Sequence, residues 1–296
     1  GCRWIMNILL LNQYYPPDTA PTGRYLHDLA QELVRRGHQV TVLCSQKAYN
    51  GSAVYPARET MDGVVVRRVW SSGFGRRSGL GKVVDYASFF LSLAWHLFRP
   101  GCRPDLVLSL TTPPYLGLLA RLKRCVHAHW VMDIYPDVLA AHGVLPASSP
   151  VYRFLAGLTR LELRGSRLVA VLGRDMAEVI RRHLGGGDPF QVRLESLPLW
   201  PEPSLFPWSG DTPPPFRREQ GWSDQDLVLM YSGNMGRGHR LGEFLQAAEE
   251  MKAERTIHWV FAGGGKRRDE VAAALQKDPG LNLRLLPYAP YDRLRE

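Results

Sequence analysis

Cysteine is scarce. The four residues, Cys2, Cys44, Cys102 and Cys125, are scattered over 296 positions with no CxxC pair. Redox and metal-finger motifs therefore have no support, and a reducing compartment is the default. Long apolar runs are missing too. The longest, Val83–Phe98, contains Asp85 and His96 and falls short of the roughly 20 residues that cross a bilayer. The run Ile8–Leu11 is too short for a secretory signal and reads as a first strand. The chain opens on Gly1, with Met6 directly before that strand, so residues 1–5 read as an upstream remnant or tag. There is no GxGxxG with an acidic residue about twenty positions on, which counts against a nicotinamide-dependent oxidoreductase. No helix-turn-helix, finger or RNP pattern is present, so nucleic acid is a poor fit for a partner.

What is there is positive charge. Lys and Arg outnumber Asp and Glu by 37 to 28, a formal net charge of +9. That balance suits an anionic membrane surface or a polyphosphate ligand. With 45% hydrophobic residues, the chain can bury the cores of two ordinary domains.

One unit occurs twice. Ile8–Leu11 leads into the loop NQYYPPDTAPTG (Asn12–Gly23), then a helix, then the strand Gln39–Cys44. Leu227–Tyr231 leads into SGNMGRGH (Ser232–His239), then a helix, then Ile257–Ala262. Each reads as strand, turn, helix and parallel strand, which points the N–H groups of a helix start at whatever sits above the sheet. The expected class is α/β, two Rossmann-like domains facing across a cleft. In the first helix, Leu26, Leu29, Ala30, Leu33 and Val34 recur at helical spacing after a plausible N-cap, Thr22, and Gly37 stops it. Further strands are expected at Val64–Trp70, Asp105–Leu110, Val126–Val131, Leu168–Leu172 and Val192–Leu197. Helices are expected at Lys82–Phe98, Tyr115–Arg124, Pro150–Arg164 and Arg174–Leu184. The expected boundaries are a first domain over residues 6–197, a proline-rich linker over 198–220 and a second domain over 221–296.

Four segments carry candidate chemistry. The loop PPDTAPTGR stands at a strand's C-terminal edge, where open α/β sheets bind ligands; alternatively Gly23 only starts the helix. In SGNMGRGH, Gly233, Gly236 and Gly238 allow close backbone approach, Arg237 could contact a diphosphate, and His239 is either a phosphate donor or a helix-start residue. In AGGGKRR (Ala262–Arg268) the glycines could face a ligand, while the basic residues read equally as solvated. In HWVMDIYPD (His129–Asp137), Asp133 and Asp137 follow an apolar strand; Asp133 suits a cleft role or a helix cap, and His129 reads as a satisfied core histidine. Separately, the basic residues of Arg67–Arg103 flank an aromatic stretch, which fits either an interfacial membrane contact or a buried helix with charged ends.

YYPPDTAPTGRY, HWVMDIYPD, YSGNMGRGH and FAGGG, in this order and spacing, resemble the GT-B glycosyltransferases of family 4, closest to the colanic-acid, O-antigen and fucosamine-transferase-like branch. The likeness runs from about Met6 to Glu296. It implies a nucleotide-sugar donor (UDP-sugar or GDP-sugar), transfer with retention at the anomeric carbon, no metal and no further cofactor. It places Asp133 at the reacting sugar as the catalytic candidate. Gly23, Gly233, Asn234, Gly236, Arg237, His239, Gly263 and Gly264 fall around the donor. Where relatives carry a lysine shortly after the arginine, this chain has Arg240. The family's paired-glutamate motif lies further along than Glu296, so residues 1–296 are expected to be a fragment inactive alone. The expected acceptor is a lipid-linked saccharide at the cytoplasmic face of a bacterial plasma membrane. A non-catalytic binding or assembly module and a two-Rossmann oxidoreductase are the rival readings.

Overall fold

Short apolar runs without polar alternation form parallel strands covered on both faces, and the first two hundred residues are built from them. The computed structural model describes residues 5–49, 53–74, 79–123, 125–185, 192–201, 215–236, 238–290 and 293. The chain divides into a unit of residues 1–199 and a unit of residues 200–296.

In the first unit, β1 (Asn7–Leu11), β2 (Gln39–Ser45), β3 (Arg58–Met61), β4 (Val64–Val69), β5 (Leu106–Ser109), β6 (Val126–Val131), β7 (Leu168–Val171) and β8 (Arg193–Ser196) form one sheet in the order β3-β4-β2-β1-β5-β6-β7-β8. All pairs are parallel except β3–β4. Strand β3 is absent from the expected set. It pairs through a two-residue turn, Asp62–Gly63, with both residues at positive φ, and Asp-Gly is the residue pair that such a hairpin turn requires.

Helix α1 (Pro21–Arg35) follows β1. Its N-cap is Ala20 with no side-chain cap, and Pro21 occupies the first turn. Thr22 is therefore inside the helix, its hydroxyl accepting from Asn12 Nδ2 at 3.3 Å. Gly37 ends the helix as expected: its φ is +93°, its N–H donates to Val34 O and the His38 N–H to Leu33 O, the paired bonds of a Schellman motif.

Helix α2 (Gly79–Phe98) lies against the sheet. Phe89, Leu93 and Leu97 are fully buried with Leu9, Leu11 and Val107. Its opposite face is bare: Leu80, Val83, Leu91, Trp95 and Phe98 are all exposed. The buried-helix reading thus holds for one face only. No described helix is long and apolar enough to cross a membrane. The remaining helices are α3 (Leu116–Lys123), α4 (Asp137–Ala141), α5 (Pro150–Arg164) and α6 (Arg174–Leu184). Apart from the start of α2, three residues early, the expected helix limits come within two residues of the observed ones. The short α4 is an addition to the expected set.

Residues 215–219, expected in the linker, form α7 (Pro215–Glu219). The Arg217 guanidinium fixes it by donating to Ser223 O and Asp226 O. The stretch 202–214 lies outside the described residues. β9 (Leu227–Ser232), β10 (Ile257–Ala262) and β11 (Leu283–Leu286) pair in parallel in the order β11-β10-β9. They alternate with α8 (Gly242–Glu250) and α9 (Arg268–Lys277), around a core of Trp259, Phe261, Leu241 and Val271. Leu227, Leu229 and Met230 of β9 are exposed.

Candidate functional site

In the first unit, the loops after β1, β5 and β6 meet at the C-terminal edge of the sheet. Gln13 N–H donates to Thr112 O at 2.7 Å, and Ser45 N–H to Gln13 O at 2.8 Å. Asp18 ties the β1 loop together, accepting from Ala20 N at 3.0 Å and from Tyr49 N at 2.6 Å. Gly23 is buried here because helix start and loop touch: a Cβ on it would lie 2.9 Å from Tyr14 O. A side chain there would push the loop away, which explains the glycine by packing, whatever it faces.

Asp133 follows β6. Thr111 Oγ1 accepts from the N–H groups of Met132 (3.2 Å) and Asp133 (3.1 Å). That fixes the backbone while leaving the Asp133 carboxylate in contact with solvent. It caps no helix, since α4 begins at Asp137 behind Pro136. Desolvation by the surrounding walls raises the pKa of Asp133, against the opposing pull of His142. Asp137 is engaged elsewhere. Its Oδ2 bonds His183 Nε2 at 2.7 Å and its Oδ1 accepts from Tyr152 at 3.1 Å. Burial pushes its pKa up, but the His183 contact and the Tyr152 hydroxyl outweigh that and hold it low.

Below Asp133 runs a buried polar chain that sequence reasoning does not assemble. Ser109 Oγ bonds both His127 Nε2 and His129 Nδ1 at 2.8 Å. Ser166 Oγ bonds His127 Nδ1 at 3.0 Å. His129 Nε2 stands 3.8 Å from Glu162 Oε2, and Glu162 Oε1 accepts from Gly117 N–H at 2.7 Å. Burial, then the neighbouring His129, lowers the His127 pKa to about 3, and burial raises that of Glu162. His129 is thus the satisfied core histidine expected. The chain pins β5, β6, α3 and α5 together beneath Asp133. A small cavity of about 10 Å³ lies between, lined by Asp133, Tyr115, His129 and Glu162, the lower limit for one water.

In the second unit two glycine turns interlock. Gly233 N–H donates to Ala262 O (2.9 Å) and Met235 N–H to Gly264 O (2.6 Å). A Cβ on Gly263 would coincide with Gly233 O, and one on Gly265 would lie 2.5 Å from Met235 O. Gly264 packs on the Tyr288 ring, where a Cβ would sit 2.9 Å from Cε2. Glycines 263 and 265 are therefore required by the contact between turns. The Tyr231 hydroxyl donates to Asn234 O at 2.8 Å and bonds His239 Nδ1, and Arg267 bonds His239 O. These contacts hold Asn234 and His239 in place ahead of α8. Leu241 at the N-cap makes no side-chain hydrogen bond to that helix start, and among the described residues no side chain caps its first N–H groups. Arg240, which stands where relatives carry a lysine, pairs with Glu243 at 2.6 Å. Arg237 lies outside the described residues. A cavity of about 220 Å³ opens beside the turns, lined by Ser232, Ala262, Pro287, Tyr288 and Arg293 among others. Tyr288 had no sequence signal: it simply comes after β11.

Two α/β units, each with its turns at the C-terminal edge of a parallel sheet, are the parts of the GT-B glycosyltransferase fold. The chain belongs to the family described as the glycosyl transferase 4-like domain, whose model matches residues 22–200. It is 26% identical over 309 residues to WcaI of Escherichia coli (strain K12), whose name assigns it as a glycosyl transferase to colanic acid biosynthesis; the alignment covers 98% of this chain and 73% of WcaI. It is 29% identical over 288 residues to WbjE of Pseudomonas aeruginosa, named as a glycosyltransferase, covering 96% of this chain and 69% of WbjE. Among solved structures, Anabaena HepE in complex with UDP and glucose superposes with a TM-score of 0.58 at 13% identity, covering 96% of this chain and 70% of HepE.

Proposed function

We propose that this glycosyltransferase serves bacterial surface-polysaccharide assembly. It moves a sugar from a nucleoside-diphosphate donor to a lipid-linked saccharide at the cytoplasmic face of the plasma membrane. The donor's diphosphate sits at the interlocked turns of the second unit, and Asp133 of the first unit serves the reacting sugar and acceptor. The observation that carries this reading is the pair of turns 233–236 and 263–265. The first leads to α8, whose start has no side-chain cap among the described residues, and both adjoin, through Ser232 and Ala262, a cavity of about 220 Å³. The WcaI name and the UDP and glucose of HepE agree with it. The bare apolar face of α2 and the chain's net charge of +9 supply a membrane-facing surface.

The chemical cost of transfer is separating a sugar cation from a dianionic leaving group. Fixed N–H dipoles at the α8 start and the Arg237 guanidinium would offset it by electrostatic preorganisation, with no metal needed. Retention at the anomeric carbon is part of the proposal. The test is Arg237→Ala in the full-length protein. A charge-assisted bond to the diphosphate predicts a loss of roughly 1.5–3 kcal/mol in nucleotide-sugar affinity or turnover. Affinity and turnover within twofold of the wild type would remove Arg237 from the site.

A further inference from the structure

The second notable opening in the first unit lies away from Asp133. A groove of about 750 Å³ runs over the starts of β1, β2 and β4, closed on one side by the segment after α2. It exists because α2 covers the β1 and β5 side of that face and ends at Phe98. Arg67 stands in the row Val65, Arg67, Val69 of β4, on the side where Val69 joins the α2 core. Arg99 and Arg103 line the same groove, and Arg58 pairs with Arg67 across the β3–β4 hairpin.

Among the described residues no carboxylate forms an ion pair with Arg58, Arg67, Arg99 or Arg103. Asp105, close to Arg103 in sequence, is held by Asn7, whose N–H donates to Oδ2 at 2.7 Å. Arg67 Nε is buried without a partner. Burial, then the charges of Arg99 and Arg58, lowers the Arg67 pKa, the signature of uncompensated positive charge. The adjacent Arg68 shows the contrast. It points to the other face, pairs with Glu59 and donates to Pro16 O at 2.7 Å and Pro56 O at 3.1 Å.

Arg99, which lines the groove, directly follows Phe98, the last residue of α2. Leu91, Trp95 and Arg99 are spaced four apart, and Leu91 and Trp95 are each 75% exposed. Apolar residues ending in tryptophan and arginine form the pattern that lies at a bilayer interface. Guanidinium groups match phosphate oxygens in planar, two-pronged fashion. We infer that the Arg67–Arg99–Arg103 groove seats the phosphate of an anionic phospholipid headgroup, with the Leu80–Phe98 apolar face of α2 lying in the interface beside it. This rests on the membrane-surface reading above and names the site and the ligand chemistry.

The test is sedimentation with vesicles of phosphatidylcholine alone or with phosphatidylglycerol added. Arg99→Gln with Arg103→Gln is compared with a control that removes the same charge elsewhere, Arg181→Gln with Arg182→Gln on α6. All four arginines are exposed, and thermal melts check that both variants fold. The wild type should bind only the anionic vesicles. The groove variant should lose about tenfold or more of its partition, as expected for two interfacial charges, while the control changes by less than about twofold. Inorganic phosphate should not release the protein. Equal losses in both variants would overturn the inference in favour of net charge. Release by inorganic phosphate would overturn it in favour of a free phosphate ligand. Wild-type binding that survives in the groove variant would sink the groove alone, whereas no wild-type binding to either vesicle would sink the membrane reading as well.

Discussion

Asp133→Asn in the full-length enzyme is expected to lower turnover by about 10²–10⁴-fold, the range for a positioned proton-transfer or charge-stabilising group, with donor affinity unchanged within about threefold. The asymmetry comes from placement. Asp133 is held by its own backbone through Thr111 and by no side-chain cap, so the amide changes charge without loosening β6. Among the described residues its carboxylate has no hydrogen-bond partner, whereas Asp137 is bound to His183 and Tyr152. Single-turnover rates and donor titrations, measured side by side, separate the two quantities. Parallel losses in both, or no loss in either, would make Asp133 structural.

Gly263→Ala should be the most damaging single substitution in the second unit. The new Cβ would meet the carbonyl oxygen of Gly233, a backbone atom with no flexible end to swing aside, at a residue whose φ is +137°. Overpacking and left-handed strain together put the cost at roughly 4 kcal/mol or more. Because the clash separates turn 263–265 from turn 233–236, nucleotide binding should vanish with the loss of stability. Gly173→Ala, where a Cβ meets nothing within 4 Å, provides the comparison and should leave the melting temperature within about 2 °C. A Gly263→Ala protein that melts and binds nucleotide like the wild type would show that the turns are free to separate.

Most strands were legible because buried parallel strands are short apolar runs bounded by polar or turn residues, whereas the apolar runs of α2 and α3 are set apart by helical spacing. The Gly37 stop was legible because only a left-handed residue completes that cap. Position beyond the strand ends was legible too: Asp133 and the two glycine turns each stand just past the last residue of an apolar run. What sequence could not give was pairing in space. Glu162 is 45 residues from Gly117 and no pattern joins them. Asp137 looked like Asp133 in sequence, and only His183, 46 residues on, tells them apart. Gly263 and Gly264 read as ligand-facing from sequence alone, and the close approach of the first to Gly233 O and of the second to the Tyr288 ring adds a packing reason for glycine that no sequence pattern announces. The β3 hairpin escaped although Asp62–Gly63 announces it, because its strand, RETM, lacks an apolar run.

The most direct test of the account is transfer itself. The full-length protein is incubated with a panel of UDP-sugars and GDP-sugars and with membranes carrying lipid-linked saccharide, and label is followed into the lipid phase. The account predicts that one donor class transfers its sugar, that the new linkage keeps the donor's anomeric configuration, and that chelator leaves the rate unchanged. Binding of a nicotinamide dinucleotide in place of every nucleotide sugar, or transfer with inverted configuration, would contradict it.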